Sequence, residues 1–210
     1  MTEIRRLAAL PVFPLCCYDS VEKLTSITYK ETAIIFVMMQ AVDVVEFINE
    51  LELASIDVWI DGGWGVDALI KEQTRPHKDL DIVIQKKDIE KLCELLEAKG
   101  YKEAKLEIAR PFNFVYGDKN SREIDVHVIV IDNDGNGIYG PAENGEMYPA
   151  SALSGFVGVI EGKTVKCTSP EWMVQTHTGY ELGETDFHDA VALCEKFNIE
   201  YPEEYTHLKK

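Results

Sequence analysis

The hexapeptide Asp-Leu-Asp-Ile-Val-Ile, residues 79–84, constrains this chain more than any other stretch. Side chains two apart on a strand share a face, so Asp79 and Asp81 project together while Leu80, Ile82 and Ile84 enter a core. Two carboxylates that close repel each other and raise each other's pKa unless a cation sits between them. Oxygen ligands alone select a hard ion, and Mg²⁺ keeps water and substrate phosphate oxygens as its remaining ligands. For the triplet in isolation, a solvated pair at a strand start is the simpler reading. Context shifts the balance.

A second apolar run, "REIDVHVIV" (122–130), carries Asp125 between Ile124 and Val126, with Glu123 and His127 on its face. A carboxylate inside such a strand is costly unless paired or metal-bound. Three acids on neighbouring strands can hold two metal ions about 3.5–4 Å apart, the arrangement used for in-line phosphoryl or nucleotidyl transfer. Gly62-Gly63 stands between the short strand "DVWI" (57–60) and a helix that opens directly after it. Glycines there let the backbone approach a ligand, and the helix amides face an anion with a favourable dipole.

Several neighbours carry two readings each. Arg75 and Lys78 flank the acid pair. A guanidinium suits a phosphate fork, and it equally suits an acid such as Asp79, ordering the loop. His77 either touches a nucleotide or orders that loop. His127 is a candidate to tune or replace Asp125 as base, against a plain hydrogen-bonded strand histidine. Trp64 offers a stacking face for a base or an anchor for its helix. His177 and His188 lie among Glu181, Glu184, Asp186 and Asp189, where helix packing with caps outweighs a metal site. Tyr139, Tyr148, Trp172 and Tyr180 are candidates for an acceptor pocket or for the core.

Periodicity supplies the scaffold. Val44, Val45, Ile48 and Leu51 predict a helix over 41–53, and Ile89, Leu92, Cys93 and Leu96 predict another that stops at Gly100. "NFVYG" and "REIDVHVIV" read as strands around a turn, "DNDGNG" as a loop, and "GVIEGKTVKC" as a hairpin with Glu161-Gly162 at its tip. Ser169 and Pro170 open a helix, and "DFHDAVALCEKF" closes the chain as a further one. Alternating helix and strand signals make the class α/β or α+β.

The formal net charge of −16 over 210 residues argues against bare nucleic acid as partner and favours a cationic small substrate. Five cysteines without C-x-x-C spacing support neither zinc nor a disulfide framework and suit a reduced, cytoplasmic protein. No apolar run approaches the ~20 residues of a membrane span. Residues 1–37 read unlike the rest: an apolar stretch after two arginines imitates a secretory signal, but two prolines interrupt it. Met38-Met39 directly precede the first clean helix, so the native domain is expected over 38–200, with 1–37 an atypical extension and 201–210 a tail.

The set "WIDGGWGVDALI…TRPHKDLDIVI…EIDVHV" resembles the small nucleotidyltransferases of the polymerase-beta-like superfamily, with their G-G/S…D-h-D/E…h-D-h pattern. Its wording is similar to that of antibiotic nucleotidyltransferases acting on lincosamides and of the aminoglycoside 2''-enzymes, and "HTGYELGETDFHD" (177–189) resembles the lincosamide branch. The resemblance runs from about Trp59 to Cys194. It implies a small mixed β-sheet nucleotidyltransferase core flanked by helices, with further helices at the C-terminus. It also implies Mg²⁺, two ions by the family's habit, ATP or another NTP as donor, and AMP transfer to a hydroxyl with pyrophosphate leaving. Asp79 and Asp81 would be metal ligands and Asp125 a third ligand or the base. Gly62 and Gly63, with Trp64, Arg75 and Lys78, would meet the nucleotide, and His77, His127 and His177 would be auxiliary. The acceptor would be a cationic lincosamide or aminoglycoside, with neither nucleic acid nor membrane as partner; a homodimer is compatible with all of this. The alternatives are a silent nucleotide- or partner-binding module, a D-x-D phosphatase and a metal-dependent glycosyltransferase.

Overall fold

Strand β2 (Asp79–Gln85) occupies the middle of the sheet because its sequence leaves it no exposed position to take: Leu80, Ile82, Val83 and Ile84 are all fully buried. A run that is apolar on both faces needs cover on both. The computed structural model describes residues 38–104, 112–140 and 146–208, so the extension expected over 1–37 lies outside the described residues. The strand β1 (Val58–Ile60) pairs antiparallel with one edge of β2, and β5 (Glu123–Ile131) runs parallel along the other. Beyond β5 lie β4 (Asn113–Gly117) and β3 (Lys102–Glu103); beyond β1 lie β9 (Lys163–Cys167) and β8 (Phe156–Ile160), giving the order β3-β4-β5-β2-β1-β9-β8. β6 (Gly137–Tyr139) pairs with the distal part of β5, and β7 (Glu146–Tyr148) with β6.

The β8–β9 hairpin turns at Glu161 and Gly162, both at positive φ (45° and 78°), the backbone that a two-residue turn of this hand requires. β3, β6 and β7 were not legible in the sequence. Strands of two or three residues fall below any period-2 signal.

Helix α1 (Ala41–Leu53) buries Val44, Phe47, Ile48 and Leu51, the i, i+3, i+4, i+7 set of an amphipathic helix. Helix α2 (Gly62–Ile70) starts two residues before the expected position, so both glycines lie inside its first turn. α3 (Ile89–Ala98) follows β2. α4 (Pro170–Thr176) is capped as its sequence predicts, Ser169 Oγ accepting from the Trp172 amide at 3.1 Å. α5 (Glu184–Phe197) follows. The segment expected as a tail folds into a 3-10 turn over Glu203–Leu208, with Tyr205 fully buried.

Apolar side chains form two clusters among the described residues. The larger joins Leu80, Ile82 and Ile84 of β2 to the inner faces of α1, α2, α3, α4 and α5. The smaller lies on the opposite face of β2: Val83 with Trp59, Ile129, Tyr148 and Leu153. Asp79 and Asp81 share Val83's face, so the acids stand at the end of the smaller cluster.

Candidate active site

Parallel pairing of β2 and β5 sets Asp81 directly opposite Asp125 and Asp79 opposite Glu123. The chain leaving β1 adds a third acid to the first pair, the Asp61 amide donating to the Asp81 carbonyl at 3.0 Å. One oxygen of the buried Asp61 carboxylate accepts from Thr168 Oγ1 at 2.7 Å. Gly62 then turns at φ +53°, and a Cβ there would lie 2.0 Å from Asp81 Oδ2. Only glycine lets the chain pass this carboxylate.

Among the described residues, Arg75 is the cation whose charge opposes the crowding at Asp81, and its effect is the smallest of those acting there. Burial, and then the charges of Asp79, Asp125 and Asp61, push the Asp81 carboxyl well above its ordinary range. Asp125 is pushed up as well, by burial first, with His127 opposing and Asp79 adding to it. Its Oδ1 is buried with no hydrogen-bond partner, and Nε2 of His127 is 3.7 Å away. His127 itself stacks on Tyr139, ring centroids 5.6 Å apart and 28° between planes.

Such a group fits a divalent cation. Asp81, Asp125 and His127 each offer a ligand atom, all within 4.8 Å of one another. An orphaned buried carboxylate oxygen is also what a metal ligand looks like without its ion. Asp79 differs from the expectation: it shares the face, but it is exposed and lies outside that group, raising Asp81 and Asp125 through its charge. The three acids read from the sequence thus become two acids and a histidine in close array, with Asp79 at the rim.

The group floors a cleft of about 370 Å³ whose wall is aromatic: Tyr139, Tyr148, Trp172 and Tyr180, joined by Thr176 and His177. All four aromatics named as pocket candidates line it. Tyr148 and Trp172 pack at 4.8 Å, and the Trp172 Nε1 donor is buried without a partner. His177 caps the end of α4, its Nδ1 2.6 Å from the Met173 carbonyl, and is thereby fixed as wall.

The loop between α2 and β2 is ordered by contacts of Arg75 and His77. Arg75 pairs with Asp189 of α5, Nε donating at 2.9 Å and a terminal nitrogen at 2.5 Å, and not with Asp79. The hydrogen bond to Asp189 holds its guanidinium more firmly charged. His77 is buried, Nε2 bonded to Asp67 Oδ2 at 2.5 Å, while Oδ1 of the same acid accepts from the Thr74 amide and hydroxyl. A Cβ on Gly63 would lie 2.4 Å from His77 and 2.5 Å from Arg75, so this glycine makes room for two side chains. Of the two readings of Trp64, a face for the nucleotide and an anchor for its helix, the structure shows the anchor: it is 1% exposed and packs at 4.7 Å on the His77 ring. Lys78 forms an exposed pair with Glu123 at 2.6 Å.

Sequence reading missed Asp61, Asp67 and Thr168, and it named Asp189 only among the acids near His177 and His188. Only Asp61, one residue before the glycines, carried a usable signal.

A mixed sheet that sets acids of two parallel neighbours beside a Gly-Gly helix start is a nucleotidyltransferase core, and comparison with solved structures agrees. The fold matches the lincosamide antibiotic adenylyltransferase LnuA in its lincomycin-bound form with a TM-score of 0.67 and 26% identity, covering 78% of this chain and 100% of that one. ANT(2'')-Ia in complex with adenylyl-2''-tobramycin shares the fold at a TM-score of 0.59 and 18% identity, covering 75% of this chain and 88% of that one. A lincosamide resistance protein of Staphylococcus haemolyticus is 31% identical over 139 residues, 66% of this chain and 84% of the relative. Residues 43–193 match the aminoglycoside-2''-adenylyltransferase family, and the chain belongs to it. It is therefore an enzyme, a nucleotidyltransferase, which decides against the phosphatase, glycosyltransferase and silent-module alternatives. Among the described residues, no helix is long and apolar enough to cross a membrane.

Proposed function

We propose that this enzyme transfers AMP from MgATP to a hydroxyl of a lincosamide and releases pyrophosphate. The observation that carries the reading is the group Asp81, Asp125 and His127 at the floor of an aromatic-walled cleft. Asp81 and Asp125 would hold the ions, with His127 beside them and Asp79 at the rim adding its charge. Mg²⁺ held there would supply the positive charge that phosphoryl chemistry needs, offsetting the charge of the phosphates. Gly62 and the amides that open α2 lie against the triphosphate. The acceptor oxygen attacks the α-phosphorus, the bond to the pyrophosphate oxygen breaks, and the hydroxyl proton passes to the Asp125 carboxylate. Its Oδ1 is buried without a hydrogen-bond partner and faces the cleft group, and His127 Nε2 stands 3.7 Å from it.

A lincosamide is favoured over an aminoglycoside because the wall above the acids is aromatic and neutral, suited to a ring and an alkyl chain. The 31% identity to the lincosamide resistance protein points the same way. The test is pyrophosphate release from MgATP with lincomycin, clindamycin, tobramycin and kanamycin as separate acceptors, with mass spectrometry of the drug. Release with a lincosamide and a mass gain of one AMP is expected. Release with an aminoglycoside alone overturns the acceptor, and release with none overturns the antibiotic reading.

A further inference from the structure

We propose that the C-terminal turn Glu203–Leu208 braces the acceptor wall, with Tyr205 as its positioning residue; this rests on the reading of the aromatic cleft as the acceptor site. The turn lies outside residues 43–193, the stretch that matches the family. It is nonetheless tied to the cleft. Tyr205 is fully buried, and its hydroxyl donates to the backbone carbonyl of His177 at 2.5 Å. Burial pushes that hydroxyl up to about 12, which keeps it a donor at every working pH.

His177 is the residue at which α4 ends, and two residues before it and at it stand Gln175, Thr176 and His177 itself, the latter two lining the cleft. The Tyr205 ring packs edge-on against Phe187 at 5.2 Å, and the His207 ring adds a second edge contact at 5.6 Å. Phe187 follows Asp186, whose carboxylate accepts from the Tyr180 hydroxyl and the Gly183 amide, each at 2.7 Å. One buried tyrosine therefore connects the end of α4 to the first turn of α5. The connecting segment between those helices carries His177 and Tyr180 into the cleft.

Other hydrogen bonds of this wall, His177 to Met173 and Tyr180 and Gly183 to Asp186, lie within α4, α5 and their connection. Removing the Tyr205 bond therefore frees that connection from the C-terminal turn. The acids are positioned separately, by the sheet register of β2 and β5. Loss of the brace must therefore weaken acceptor binding and leave nucleotide binding alone.

The experiment uses full-length Tyr205→Phe, which keeps the ring against Phe187 and removes only the donor. The KM for lincomycin should rise about three- to tenfold, the range of one hydrogen bond. The KM for ATP, and kcat at saturating lincomycin, should stay within about twofold. An unchanged lincomycin KM, or an equal loss for ATP, overturns the brace. Amide hydrogen exchange gives a readout that needs no substrate. Residues 177–183 should exchange faster in the variant while residues 79–85 do not, and unchanged exchange at 177–183 also overturns the proposal. If the wild-type enzyme does not modify lincomycin, the acceptor reading fails while the exchange result still decides the brace.

Discussion

Two groups of buried charge lie on either side of Gly62-Gly63, and they are built on opposite rules. Toward the loop before β2, the buried acids have partners: Asp67 is hydrogen-bonded to His77, and Asp189 is paired with Arg75. Toward the cleft, Asp61, Asp81 and Asp125 converge, and one buried oxygen of Asp125 has no hydrogen-bond partner. The adjacent glycines serve one group each. A Cβ on Gly63 would strike His77 and Arg75, and a Cβ on Gly62 would strike Asp81. The comparison teaches that burial alone does not mark a functional acid. Paired charges order a loop, while gathered like charges raise the free energy of the empty protein and wait for a ligand to lower it.

The largest expected effect breaks the cleft side. Asp81→Asn or Asp125→Asn should lower turnover by about a thousandfold or more, read as pyrophosphate release. The same substitutions remove a repelling charge, so in metal-free buffer at neutral pH they should raise Tm above that of the wild type. A lower Tm would sink the account of unpaired charge. The paired side should respond in the reverse sense. Asp189→Ala leaves Arg75 without its partner, and removing one member of such a pair costs about 3–5 kcal/mol. Because Arg75 keeps 24% of its side chain in water, urea unfolding should report the lower end of that range.

The pH dependence sharpens the contrast. Asp81 and Asp125 have folded-state pKa values above those of the unfolded chain, so protonation favours the folded state. Their contribution is fully present below the unfolded carboxylate range near about 3.9 and is lost as pH rises through the raised folded values. Melting curves in EDTA should show this loss on going toward neutral pH, and Asp81→Asn should flatten it. Added Mg²⁺ should then stabilise the wild type more at pH 7 than at pH 5; equal stabilisation would contradict the charge account. The smallest effect is expected at Lys78, whose pair with Glu123 is exposed on both sides. Lys78→Ala should change stability by less than about 1 kcal/mol. A rise in the KM for ATP in that variant would place Lys78 at the phosphates, and no change would leave it a surface pair.

How much was legible follows from how local each signal is. The alternation of β2, the apolar frame of β5, the helical spacing of Val44, Val45, Ile48 and Leu51 in α1 and the Ser169 cap each span a few residues, and each was read with the right element type. Three short strands had no period to read. The candidate site divided in the same way. Asp81 and Asp125 were picked out because each interrupts an apolar run, and the aromatics of the wall were named as candidates without any means of telling wall from core.

The sequence by itself determined that a buried central strand would carry acids on one face, that glycines would let a helix begin beside them, and that a family of nucleotidyltransferases shares this order. Those properties depend on spacing along the chain. Only the tertiary structure decided that Arg75 belongs to an acid 114 residues away, that Trp64 is core, that His127 joins Asp81 and Asp125 while Asp79 stays at the rim, and that Tyr205 reaches His177. Charge pairing and burial depend on distances through space, and the folding of the sheet and its helices sets those distances.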